Sequence, residues 1–150
     1  MKVGFLMEAL SDASREASTS LLLVQEACRR GHEVYHFMID TLSMDNGTVT
    51  ANAARVNVDV SRDDYYRCEE YQPVNLETFD IVWMRQEPPV DMRYISALYM
   101  LDHLKSRGVY VTNDPTAILS VPEKMSIFNF PDLIPPTLVS QDEQTIRTFF

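Results

Sequence analysis

Glycine is scarce in this sequence, with 4 residues among 150, and each has a local reason for its place. Gly4 lies inside an apolar run, Gly31 and Gly108 follow helical stretches, and Gly47 completes an Asn-Gly turn. None remains for the glycine-rich strand-to-helix turn through which backbone amides approach a phosphate, so dinucleotide binding of the usual kind is disfavoured. Only Cys28 and Cys68 are present, far apart and in neither metal nor redox spacing, which fits a reducing compartment better than a disulfide scaffold. His32, His36 and His103 show no ligand spacing, and no metal site is expected. Positive charge is also in short supply: 13 Lys and Arg stand against 22 Asp and Glu, for a formal net charge of -9. Without a basic stripe, a nucleic-acid backbone is an unsuitable partner. Long apolar runs are missing too. The stretch Val3 to Met7 meets Glu8 before it reaches the length of a signal-peptide core or a membrane span, so no membrane association is expected and the protein is read as cytoplasmic.

What is present follows an alternating pattern. Val3 to Met7 reads as a strand buried on both faces, the kind that parallel sheets require. A helix is expected from about Ser18 to Arg30, with Ala17, Leu21, Val24 and Cys28 on one stripe and Gly31 at its end; Cys28 is thereby read as a buried apolar residue. Glu33 to Ile39 follows as a strand and closes a βαβ unit, whose right-handed crossover makes the sheet parallel there. Asn46-Gly47, flanked by Val49, Val56, Val58 and Val60, predicts an inserted β-hairpin between Leu42 and Val60. Residues 61 to 77 read as an irregular polar connection with at most one helical turn, and the acids from Asp59 to Glu70 as a solvated surface.

A second βαβ unit is expected from a strand at Phe79 to Met84, a break at Pro88-Pro89, a helix from about Asp91 to Arg107 and a strand at Val109 to Val111. Asp114-Pro115 starts a short helix toward Ser120. Thr137 to Val139 suggests a short strand, and Ser140 with Glu143 a capping box for a last helix. That helix stops on Phe149-Phe150, an ending that suggests a truncated chain.

Two βαβ units predict an α/β fold with an open, mostly parallel sheet and helices on both faces. Ligands bind such sheets in the crevice beyond the carboxyl ends of the strands, which singles out Glu8, Arg85 and Asn113. Arg85 offers a planar fork to a carboxylate or phosphate; an ion pair with Glu87 or Glu8 explains it equally well. A phosphoacceptor receiver domain is excluded at the same position, where an aspartate would be needed.

The run VWMRQEPP at Val82 to Pro89 resembles the Met-Arg-x-Asp-Pro-Pro motif of the bacterial glutathione synthetase family. The segments Asp91 to Leu104, VTNDP (Val111 to Pro115), PEKM (Pro122 to Met125) and FPDLIPPTLVS (Phe130 to Ser140) follow in the family's order and spacing. The opening VGFLME, the segment CRRGHEVYHF and the Asn-Gly hairpin also correspond.

The resemblance implies a Rossmann-like pre-ATP-grasp domain over residues 1–140, with 141–150 beginning the linker or helix toward an ATP-grasp region. It implies an ATP-dependent ligase that joins glycine to γ-glutamylcysteine, uses ATP and Mg2+ in full-length form, and is a homo-oligomer. The glycine-rich lid and the magnesium carboxylates would lie outside these 150 residues, so the fragment alone should bind no cofactor and be inactive. Arg85 matches the family's motif arginine in the substrate crevice, and Lys124 matches a lysine that reaches ATP phosphate; Glu8, from its strand-end position, is a second substrate-binding candidate. Without the resemblance Lys124 would read as a surface lysine pairing with Glu123 or Asp132. Glu8 and Glu87 stand where the family usually has aspartates, and the loop Ala9 to Ser20 is more polar than the family's version. Another peptide substrate, or a stand-alone binding or dimerisation module, are the alternative readings.

Overall fold

Strand β1 (Lys2–Leu6) pairs in parallel on both sides, with β2 (Glu33–Phe37) and with β7 (Ile81–Met84). It is buried because its alternate side chains feed two different cores. Val3 and Phe5 join the residues packed under helix α1 (Thr19–Arg29), where Leu21 and Val24 are fully buried. Leu6 points the other way, into a core with Val82, Met84 and the buried face of helix α2 (Met92–Ser106): Tyr94, Leu98, Leu101 and Leu104. The two helices thus cover opposite faces of the sheet. A computed structural model describes all 150 residues, Met1 to Phe150, and they form two compact units, Met1–Leu119 and Ser120–Phe150.

The first unit is a mixed α/β sheet. Its parallel part runs in the order β2, β1, β7 and β8 (Tyr110–Thr112). The rest is antiparallel and gathers on one long strand. The expected hairpin is present: β3 (Ser43–Asp45) turns through Asn46 (φ 48°) and Gly47 (φ 82°) into β4 (Thr48–Val58). β4 pairs antiparallel with β2 and β3, and again with β5 (Tyr66–Cys68) and β6 (Gln72–Asn75). Its period-two pattern serves both cores: Val49, Ala51 and Ala53 lie with α2, and Val56 and Val58 with α1.

The expected α/β fold with an open sheet and helices on both faces is present, with a parallel part and an antiparallel part, since half of the eight strands are antiparallel. One sequence expectation needs correction here. Residues 61 to 77 are not an irregular connection, because they contain β5 and β6. Both are short and mostly exposed and owe their extended form to backbone pairing with β4, which leaves no burial period in the sequence; Pro73 fits a sheet edge.

Both βαβ helices start and stop as composition dictates. Ser18 caps α1 by accepting from Leu21 N at 3.3 Å, and Asp91 caps α2 by accepting from Arg93 and Tyr94. Asp114 likewise caps α3 (Pro115–Ser120) through Ala117 N at 3.0 Å. In the second unit, two short 3-10 turns, Ser126–Asn129 and Pro131–Leu133, precede α4 (Glu143–Phe149). Asp142, and not the expected Ser140, caps α4: its carboxylate accepts from Thr145 N at 2.7 Å, while Ser140 Oγ accepts from Asp142 N. Thr137 to Val139 finds no strand to pair with and is irregular.

Gly4 lies at a crowded point of the sheet. A Cβ placed there would lie 2.9 Å from Phe37 Cε1 and 3.1 Å from Phe79 Cδ1, and Phe37 is fully buried. Gly4→Ala should therefore destabilise the fold by about 1–3 kcal/mol, the usual cost of overpacking a core. Urea unfolding checks this; a change below about 0.5 kcal/mol would show that the rings yield freely.

Candidate functional site

The chain leaves β1 through α1 toward β2 on one side, and leaves β7 through α2 toward β8 on the other. The divergence opens a crevice beyond the carboxyl ends of β1 and β7, where ligands of open α/β sheets bind. Glu8 follows β1 and Arg85 follows β7, so the structure brings these two candidates to one place. Arg85 N extends the parallel ladder by donating to Leu6 O at 2.8 Å. Asn113 stands beyond the next strand and donates from Nδ2 to Met84 O at 3.3 Å.

Arg85 is held by hydroxyls. Its Nε donates to Ser20 Oγ at 3.0 Å and a terminal nitrogen donates to Thr19 Oγ1 at 2.9 Å, both in the first turn of α1. Neither Glu8 nor Glu87 forms an ion pair with it, so the pairing left open by the sequence is not made; its bonds go to hydroxyls. The guanidinium is half-buried, keeps three further N–H donors and sits where the helix dipole is also positive. An anion in the crevice would satisfy both charges. Thr19 and Ser20 escaped sequence analysis because hydroxyls in a first turn read simply as helix-start residues.

Glu8 brings a different chemistry. Its Oε2 is buried with no hydrogen-bond partner, while its backbone carbonyl accepts from His36 Nε2 at 2.8 Å. His36 is fully buried, and its Nδ1 meets the Tyr71 hydroxyl at 2.7 Å. Since a carbonyl can only accept, Nε2 carries the proton and Nδ1 accepts from Tyr71. Burial pushes His36 below its ordinary 6.5, outweighing the upward pull of the Glu8 carbonyl, and burial pushes the Tyr71 hydroxyl above its ordinary 10.0. A histidine in a strand carried no sequence signal for this role; its partners lie 28 and 35 residues away.

Lys124 lies in the other compact unit, highly exposed and paired with Glu123. The clefts of about 400 Å³ lie elsewhere on the surface. One is lined by Cys28, Arg55, Arg67, Cys68 and Glu69, the other by Ile39, Leu42, Met92 and Met100. Size alone does not make either a site, whereas the strand-end crevice has convergent polar groups. Cys28 is half-buried, donates to Val56 O at 3.6 Å, and burial pushes its thiol up, so it suits packing better than nucleophilic work. No cluster of three or more His, Cys, Asp or Glu is placed to hold a metal ion, and no helix is long and apolar enough to cross a membrane.

Comparison with known proteins points in one direction. Residues 1–118 match the family described as prokaryotic glutathione synthetase, N-terminal domain. The chain is 36% identical over 149 residues to the glutathione synthetase of Brucella melitensis, covering 99% of this chain and 47% of that protein. It is 34% identical to the glutathione synthetase of Mesorhizobium japonicum and 33% identical to that of Yersinia pestis, with the same coverage of 99% and 47% in each case. The chain thus spans about half the length of the curated relatives it matches.

The buried histidine makes fold stability depend on pH in a definite direction. Because the folded-state value is depressed, the unfolded chain takes up the proton first, so stability is full above about 6.5 and falls as the pH drops through the lower folded-state value. His36→Gln, which keeps a donor toward Glu8 O, should lose less stability than the parent between about pH 7.5 and pH 5. Equal losses in urea unfolding across that window would contradict the assignment.

Proposed function

This chain belongs to the prokaryotic glutathione synthetase family, as its amino-terminal domain, and on that premise we propose that the protein carrying it is the ATP-dependent ligase that joins glycine to γ-glutamylcysteine. The unit Met1–Leu119 would be the Rossmann-like domain that precedes an ATP-grasp region. The observation that carries the reading is Arg85: a half-buried guanidinium at the switch point, anchored by Thr19 and Ser20 and without a carboxylate partner of its own. Such a group suits a carboxylate of the peptide substrate. Glu8, across the same crevice, is the second substrate-binding residue.

MgATP, when bound to the full-length protein, would supply the phosphoryl group that activates the peptide's carboxylate toward the amine of glycine. The residues of this chain do not fit a magnesium site, since no acidic or histidine cluster is suitably placed. On this reading the metal carboxylates belong to the half of the relatives that the chain does not match. What this chain contributes is binding and orientation: Arg85 and Glu8 hold the peptide, and Lys124 contributes a point charge suited to ATP phosphate. Its pairing with the equally exposed Glu123 is no obstacle, because an exposed ion pair is worth little and is readily exchanged.

Three outcomes test this. Arg85→Ala in the full-length protein should weaken γ-glutamylcysteine use by about 1.5–3 kcal/mol, the range for a hydrogen bond to a charged group, with only a modest change in thermal stability; a collapse of stability with unchanged peptide KM would return Arg85 to a structural role. Lys124→Gln should raise the KM for ATP far more than that for peptide or glycine, and an unmoved ATP dependence would remove it from the site. The purified 150-residue chain should release no phosphate with ATP, γ-glutamylcysteine and glycine, because phosphoryl transfer needs a positioned metal and phosphate donors; turnover by the fragment would overturn the division of labour.

A further inference from the structure

The loop between β1 and α1 joins both halves of the candidate site, with Glu8 at its start and the Arg85 anchors Thr19 and Ser20 just beyond its end, in the first turn of α1. It forms turns and no regular element. Asp12 and Ala13 donate to Ala9 O, Ala17 and Ser18 donate to Ser14 O, and Leu10 and Ala13 tuck their side chains into the core under α1. Other contacts reach it from a single stretch of the inserted antiparallel region. The Tyr65 hydroxyl donates to Leu10 O at 2.8 Å. Arg15 reaches out from the loop and donates to Arg62 O and to Asp63 Oδ1, both at 3.1 Å. Tyr71 holds His36, which in turn holds Glu8 O. The insertion itself is fixed by β5 and β6 pairing with β4, so these groups press on the loop from a rigid base.

We infer that residues 62–71 act as a clamp on the substrate loop, with Tyr65, Tyr71 and His36 as positioning residues for the peptide-binding site; this rests on the peptide-site reading of Arg85 and Glu8. The chemistry supports a clamp over mere packing. Two loop carbonyls that face inward, those of Glu8 and Leu10, each take a side-chain donor from outside the loop, which fixes the path of the backbone. Tyr65 also packs against the α1-side core and against Tyr66, with ring centroids 5.0 Å apart, so packing on its ring helps direct its hydroxyl toward Leu10 O. The group that contacts peptide is never one of these. They act by keeping Glu8, Thr19 and Ser20 in register across the crevice.

The clamp is tested on the full-length protein with Tyr65→Phe, which removes one hydroxyl and keeps the ring, and with Tyr65→Phe combined with Arg15→Ala. Hydrogen exchange read by mass spectrometry should show faster exchange confined to residues 9–18, while strands and helices keep their protection. Peptide KM should rise roughly 2- to 12-fold for the single variant, the effect of one lost hydrogen bond, with ATP KM unchanged, and rise further in the double variant. Unchanged exchange in the loop overturns the clamp. Faster exchange with unmoved peptide KM also overturns it, provided Arg85→Ala raises that KM in the same assay. If Arg85→Ala has no effect either, the peptide-site reading is what fails, and the exchange result alone then decides whether residues 62–71 hold the loop.

Discussion

Strand β1 is paired in parallel on both edges and buried on both faces, and nearly every other feature of the first unit is placed by that constraint. Its pairing with β2 sets α1 on one face, and its pairing with β7 sets α2 on the other. Alternate residues then have to satisfy two cores at once. Gly4 is the limiting case, since its missing side chain is the space that Phe37 and Phe79 fill. Because the crossovers leave β1 and β7 in opposite directions, the end of β1 becomes a crevice by topology alone. The chemistry of the site begins with what the next residues put there.

At that point the structure departs from what stability alone would favour. A guanidinium beside the first turn of a helix is opposed by the helix dipole, and a nearby carboxylate would be the simplest compensation. Glu87 is two residues away in sequence and Glu8 follows the neighbouring strand, yet Arg85 is held by two neutral hydroxyls. Glu8 in turn keeps a buried oxygen without a partner. An unsatisfied buried group of this kind is costly in a folded protein, and its place at the same strand-end crevice as Arg85 is the physical reason for proposing binding there and not in the clefts at the sides of the fold.

The framework was legible where burial and turn chemistry speak through local sequence. The apolar run Val3 to Met7, the Asn46-Gly47 turn, the helix starts near Ser18 and Asp91 and the cap Asp114 each produced the expected element, because each depends on residues within one or two turns of one another. β5 and β6 were not legible: Tyr66–Cys68 and Gln72–Asn75 are edge segments whose extended form is imposed by β4 and not by their own pattern. The same reason reversed Thr137 to Val139, which has a strand-like composition and no partner. Arg85 and Glu8 were singled out as candidates, Arg85 from strand-end position and a motif resemblance and Glu8 from strand-end position, and the fold brings both to the ends of β1 and β7. Thr19, Ser20, His36 and Tyr71 were missed because their roles arise from contacts across 28 to 66 residues of chain, which no local spacing encodes.

The central claim is that the crevice at the ends of β1 and β7 receives the peptide substrate. The most direct measurement is a titration of the isotopically labelled 150-residue chain with γ-glutamylcysteine, followed by amide chemical shifts in solution. The account predicts shifts clustered at Glu8, Thr19 to Leu21, and Arg85 with Gln86, and their loss in Arg85→Ala. Shifts centred on the cleft formed by Cys28, Arg55, Arg67 and Cys68, or a response that survives Arg85→Ala unchanged, would contradict it.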